Sequence, residues 1–432
     1  MKFNTINRTA KAVVMSLALG LGTVACSRDF TADYVYAVSN STGLVSAFAV
    51  DFQTGILDQI PGSPFISNLT NPSSIVAAPN GKTVYVIGGN QNAQVSAMTV
   101  GTDGKLFAQT GGGLFGQATS PTAAAVDPSG SFLYVTYTFE GGFSTASPGP
   151  GGISIFPINA NGTLGTPTNV NVGISPVAIA ISTPVCNSTA SAAAGSTSNA
   201  PCNTLGSSTT SNNGVDGVFV YVVDADPKLP TVLGFAENTT TGALTPLPGT
   251  NANGGWNAGV APSAIAIDPT GKFVYITDEQ QNEVFGYQIT NSSTSAPGTD
   301  GGLTSLQTSP FPTGGFPMGI TIEPRGKFVY VANFNSATVS SYSLNQANGS
   351  LTASAGSTFS TQTGPTCVTV DPALGIYLYT SDFLNQSVSG GQLSPDTGQL
   401  TAVANSFFPT GIQPICLTSV PNGAHASQID NQ

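Results

Sequence analysis

Residues 262–278 read PSAIAIDPTGKFVYITD, and the same frame recurs without gaps as PSSIVAAPNGKTVYVIG at 72–88, PTAAAVDPSGSFLYVTY at 121–137 and PMGITIEPRGKFVYVAN at 317–333. PTCVTVDPALGIYLYTSD at 365–382 carries one extra residue. PVAIAIS at 176–182 is the first half of the frame, parted from its second half, VFVYVVD at 218–224. Self-similarity at a fixed period of this size marks a ring, a solenoid or an array. The tyrosine in the second half counts the units: Tyr36, Tyr85, Tyr134, Tyr221, Tyr275, Tyr330 and Tyr379. Their spacing is 49 to 55 residues, except for 87 between Tyr134 and Tyr221. Two low-complexity insertions, at about 138–152 and 183–214, account for the long interval.

Within one unit, Ser263–Asp268 reads as a first strand and Pro269–Lys272 as a tight turn. Phe273–Asp278 reads as a second strand, Glu283–Ile289 as a third, and a fourth lies near Leu303–Gln307. The inner strands are apolar on both faces, as a sheet covered on each side by another sheet requires. Four antiparallel strands stacked radially satisfy that demand, so the expected fold is all-β: a seven-bladed β-propeller over residues 33–421. The strand of Tyr36 has no innermost partner before it, while Pro414–Val420 stands unused at the other end. The C-terminal strand is therefore expected to complete the first blade and leave no open edge.

The first eleven residues hold Lys2, Arg8 and Lys11, an apolar stretch follows from Ala12 to Gly22, and small residues precede Cys26. This reads as a signal segment over 1–26, too short to span a bilayer. Thr23-Val24-Ala25-Cys26 resembles a bacterial lipobox, which predicts lipidation of Cys26, a short tether at 27–32 and an extracytoplasmic lipoprotein of the outer membrane or periplasm. Ordinary cleavage and free secretion is the alternative. Residues 422–432 form a polar tail.

A net charge of -11 repels phosphate backbones, and no basic patch offers itself, so nucleic acid is excluded as a partner. The membrane is expected to be met only through an N-terminal lipid. Four cysteines remain after Cys26, an even number that suggests two disulfides in an oxidising compartment. Cys186 and Cys202 lie within one insertion and are expected to pair. Cys367 and Cys416 occupy a position that is small in every unit (Ser74, Ala123, Ala178, Ala264, Gly319), in neighbouring blades, and are expected to form the second bridge.

The residue three after each marker tyrosine gives Ser39, Gly88, Tyr137, Asp224, Asp278, Asn333 and Asp382, one ring by repeat symmetry. Phe334 and Phe383 follow it directly, and Trp256 and Phe316 lie in loops between blades. Acids beside aromatics suit a polar neutral or cationic small molecule, a glycan or an envelope protein. Asp224-Ala225-Asp226 lacks the remaining ligands of a calcium loop, so no metal and no cofactor is expected. The chain has one histidine, His425, in the tail, and no Gly-x-Ser-x-Gly elbow.

The tandem Asp-Pro-Thr-Gly-Lys-Phe-Val-Tyr signature, with Gly-Ala-Leu-Thr at 242–245 and Ser-Pro-Phe at 309–311, resembles the lactonase family of seven-bladed propellers. That family includes 6-phosphogluconolactonase-like enzymes and Tyr-Val-Thr-Asn repeat proteins. The resemblance implies chemistry in a central funnel by basic and imidazole groups. Here the single propeller arginine, Arg325, sits in a first-to-second-strand turn, with Lys82, Lys272 and Lys327, on the end opposite the expected site. A phosphorylated lactone would meet an acidic funnel without a clamp. The expectation is thus a binding or interaction module rather than an enzyme. The alternative is a lactonase-type hydrolase or isomerase acting in the funnel through Asp224, Asp278 and Asp382.

Overall fold

The computed structural model describes residues 31–89, 93–109, 113–114, 118–144, 147, 149–186, 215–290 and 301–423. Cys26, Cys202, His425, the signal segment and most of the 183–214 insertion fall outside them, and with them the Cys186–Cys202 pairing.

Seven antiparallel sheets, numbered here as blades 1 to 7 in the order of their marker tyrosines, make a β-propeller. Blade 5 shows the plan: Pro262–Ile267 is innermost, followed outward by Phe273–Asp278, Glu283–Ile289 and Leu303–Ser305. The second strand of this blade is buried along its whole length, as are those of blades 2, 6 and 7. Its β-branched and aromatic side chains alternate between the two adjacent blades, so both faces are apolar. Blade 1 is built from both chain ends: Pro414–Pro421 pairs with Thr31–Ser39 from Asp33 opposite Pro421 to Ser39 opposite Pro414.

The apolar interior divides into seven clusters, each drawn from two neighbouring blades. All seven marker tyrosines are buried, and each donates its hydroxyl to a glycine carbonyl in the next blade. Tyr36 reaches Gly104, Tyr85 Gly162, Tyr134 Gly242, Tyr221 Gly301, Tyr275 Gly349 and Tyr330 Gly398, at 2.6–3.0 Å. Tyr379 closes the circle on Gly55 at 2.7 Å. Each acceptor begins a Gly-x-Leu in a third-to-fourth-strand turn. Gly398 shows why glycine is required: its φ is +69°, and an added Cβ would lie 2.2 Å from Phe328.

The first-to-second and third-to-fourth turns share one end of the ring, the turn face. The second-to-third loops and the connections between blades share the other, the loop face. On the turn face Asp268 accepts the amides of Thr270, Lys272 and Phe273, and Asp127, Glu323 and Asp371 occupy the same place in blades 3, 6 and 7. The recurring acid of the repeat is thus a buried turn cap.

Candidate functional site

The register places the tyrosine-plus-three residues at one level: Asp224 lies opposite Pro176, Asp278 opposite Pro262, Asn333 opposite Pro317 and Asp382 opposite Pro365. All four are buried. Asp224 accepts the amides of Ser175 at 2.6 Å and Ile174 at 3.1 Å, from the loop that enters its own blade. Asp278 accepts Val260 N–H at 2.5 Å, with Gln280 and Gln281 at 3.0 Å. Asn333 donates to the Ser340 and Thr338 hydroxyls. Asp382 accepts the hydroxyls of Ser389, Thr380 and Ser387. Burial pushes the Asp382 carboxyl up to about 6 against those hydroxyls, and raises Asp224 in the same way despite its amides. These side chains hold the second-to-third loops and the blade entrances in place.

The aromatics divide. Tyr137 and Trp256 are buried in the cores between blades 2 and 3 and between blades 4 and 5, Trp256 at 4% exposure on a short outer strand paired with Val232. Phe316, Phe334 and Phe383 are half-buried on the loop face. Phe316 and Phe334 pack ring to ring at 6.1 Å, and the Phe334 amide donates to the Phe316 carbonyl at 2.9 Å.

Along the axis the innermost strands carry no charged side chain and no histidine. Three of their hydroxyls are committed: Thr122, Ser263 and Thr366 donate to the carbonyls of Pro176, Pro317 and Ile415 in the next blade. The Cys367–Cys416 disulfide, Cα atoms 5.0 Å apart, joins the innermost strands of blades 7 and 1. A groove of about 510 Å³ opens elsewhere, between the outer strands of blades 3 and 4 near Asn171, Phe235 and Pro248.

One acid at the mouth went unread in the sequence. Glu279, one residue beyond the ring, takes the blade-5 place that Phe334 and Phe383 take in blades 6 and 7. Its amide donates to Ala261 on the connection between blades, as theirs do to Phe316 and Gly364. Its carboxylate is half-buried and accepts no hydrogen bond among the described residues, and burial first, then the Asp278 charge, hold its pKa above the usual carboxylate range. The tyrosine-plus-four offset would have disclosed it. Around it the loop face carries Glu140, Asp226 and Glu283 against a single base, Lys228, among the described residues.

The turn face holds a second set of shifted acids. Asp33 of blade 1 and Asp371 of blade 7 face each other in complete burial. Desolvation, then the Asp371 charge, push Asp33 to about 9. Asp371 keeps the amides of Leu374, Gly375, Ile376 and Tyr377. Glu237, beside Tyr134 and Asp127, is raised by burial to about 7.

This seven-bladed ring belongs to a known class. A family described as "Lactonase, 7-bladed beta-propeller" matches residues 34–228 and 216–370. The chain belongs to that family. Among solved structures, a putative 6-phosphogluconolactonase from Bacteroides fragilis is similar at 18% identity and TM-score 0.64, with 91% of this chain and 99% of that one covered. The periplasmic gluconolactonase of Pseudomonas aeruginosa is similar at 16% identity and TM-score 0.63, with 90% and 99% covered. At such identities the likeness establishes fold. No curated protein matches significantly.

Proposed function

We propose that this chain is a lactonase-type hydrolase of an uncharged lactone, working at the loop-face mouth with Glu279 as general base. The observation that carries the reading is Glu279: an acid on the loop face, half-buried, without a hydrogen-bond partner among the described residues and shifted upward. Water attacks the ring carbonyl and its proton passes to Glu279. The acyl C–O bond breaks, and the ring oxygen leaves with the proton that Glu279 returns. A positioned general base contributes roughly 10²–10⁴-fold, enough for a cyclic ester that already hydrolyses slowly in water. The product is a carboxylate, which the acidic loop face repels. The same repulsion, with no arginine on this face, disfavours a phosphorylated substrate.

The Cys367–Cys416 disulfide supports an oxidising compartment, in keeping with export and a lipid on Cys26. A second reading is a binding module for a neutral or cationic polar ligand without turnover. It is favoured by the commitment of Asp224, Asp278 and Asp382 to loop amides and hydroxyls.

The test is proton release from δ-lactones under pH-stat control. The expected rate rises with pH through the elevated Glu279 pKa, and Glu279→Gln lowers it by about 100-fold. Ring opening above background at the same rate in Glu279→Gln removes Glu279 as the base, and none above background in either protein gives the binding reading instead.

A further inference from the structure

The mouth is asymmetric. Counting one residue before the proline that opens each innermost strand gives Gln413, Asn71 and Ser120 in blades 1 to 3, but Phe316 in blade 6. The position is left-handed in several blades, Asn71 at φ +47°, Ser120 at +54° and Gly364 at +73°, and at Phe316, φ +58°, that conformation has to carry a bulky side chain, which costs it. Two neighbours hold Phe316 in that state: Asn282 Oδ1 of blade 5 accepts its amide at 2.8 Å, and Phe334 of blade 6 packs against its ring. The strip continues across the next junction. A side chain at Gly364 would meet both Phe334, at 3.1 Å, and Leu384, at 2.8 Å, so these two apolar groups converge over it. Leu384 remains 55% exposed, and Val260, before the innermost strand of blade 5, 46% exposed. Strain retained to present an aromatic ring, flanked by uncovered aliphatic groups and leading to Glu279 on one side, is the pattern of a ligand subsite rather than of core packing.

We propose that Phe316, Phe334 and Leu384 form a subsite for an apolar substituent, so that the lactone taken is alkyl- or acyl-substituted rather than a bare polyhydroxylated one. This rests on the lactone reading of the mouth. The ring sits toward Glu279 of blade 5 and the chain runs over Phe316 and Phe334 toward Leu384 of blade 7. Among the described residues the one base of the loop face, Lys228, belongs to blade 4 and not to blades 6 and 7, so the substituent is uncharged.

The test uses the mature protein and a series from δ-valerolactone to δ-decalactone. A fully buried methylene is worth about fourfold, and partial cover about twofold, so kcat/KM is expected to rise more than tenfold over the five added carbons. Leu384→Ser, at an exposed site that does not threaten folding, is expected to cut that rise to below about threefold. A flat series in the parent protein, or an identical slope in Leu384→Ser, overturns the subsite. Binding of the matching hydrolysis-resistant lactams, followed by calorimetry, separates the two readings. Affinity that grows with chain length while no lactone is opened sinks the hydrolase and keeps the subsite. Hydrolysis of every lactone at one rate, with lactam affinity independent of length, does the reverse.

Discussion

Blades 5 and 1 carry the same four-stranded meander, but blade 5 is one continuous piece of chain and blade 1 is stitched from both ends. In blade 5 the innermost and second strands are joined by the turn at 268–272, and Asp268 caps it through three amides. In blade 1 that corner has no covalent link: Pro421 and Asp33 meet across it from opposite ends. A hairpin keeps its strands close at little entropic cost, whereas a strand returning from the far end pays for closing a loop the length of the protein. The chain compensates where the turn is missing. The disulfide fastens the returning strand to blade 7, and Asp33, standing where blade 5 has the exposed Lys272, is buried against the turn cap of blade 7. The first device stabilises closure, and the second makes it depend on pH.

Removing the disulfide is the strongest way to break the comparison. Its sequence separation is 49, and closing such a loop contributes about 4 kcal/mol in the chain-entropy model. Cys367→Ser with Cys416→Ser is expected to lower the unfolding free energy by that order in urea. Ala264 and Gly319, the same pair of positions in blades 5 and 6, need no bridge because their strands are held by hairpins. A loss under about 1 kcal/mol would mean that strand pairing alone secures blade 1.

The acid pair gives a smaller effect with a definite sign. The folded-state pKa of Asp33 is raised from its ordinary value to about 9, so its contribution is fully present only below the ordinary carboxylate range. Stability is then lost progressively as pH rises toward 9. Asp371 and Tyr379 of blade 7 face the group, with Tyr377 and Asp51 nearby, and none is a cation. Asp33→Asn keeps the shape and supplies a permanent donor toward Asp371. It is expected to flatten the decline and to gain on the order of 2 kcal/mol at pH 8. Melting temperatures at pH 5, 7 and 9 decide it, and parallel curves for the two proteins would remove Asp33 as the cause.

Much of the ring is legible in sequence because each blade repeats one solution to one packing problem. Phe273–Asp278 and Glu283–Ile289 coincide with their strands, and the returning C-terminal strand could be read from an unpaired apolar segment. The tyrosine hydroxyl bonds were harder to see, since a Gly-x-Leu in one unit serves the tyrosine of the unit before it. Trp256 reads as a loop aromatic until the register of its short outer strand turns it into the core. The rim acids show the limit most clearly. Repeat offset fixes the level of Asp224, Asp278 and Asp382 in the ring, but whether a carboxylate faces solvent or its own loop amides depends on chain geometry absent from the pattern.

The tyrosine bonds offer the smallest and most local test. Tyr275→Phe leaves the buried Gly349 carbonyl without its donor, and Tyr379→Phe does the same to Gly55. Each is expected to cost about 1–2 kcal/mol, because the aromatic ring still fills its site and only the bond is lost. The two should differ in how they combine with loss of the disulfide. Tyr379 shares its apolar cluster with Cys367, between blades 7 and 1, whereas Tyr275 belongs to the cluster between blades 5 and 6. Distant sites add to within about 0.5 kcal/mol, and groups sharing a packed cluster do not. In a cycle with Cys367→Ser/Cys416→Ser, Tyr275→Phe should therefore be additive and Tyr379→Phe should deviate by more than about 0.5 kcal/mol. If both cycles close additively, the junction of blades 7 and 1 is no more a separate unit than any other. The disulfide would then act on the unfolded chain alone.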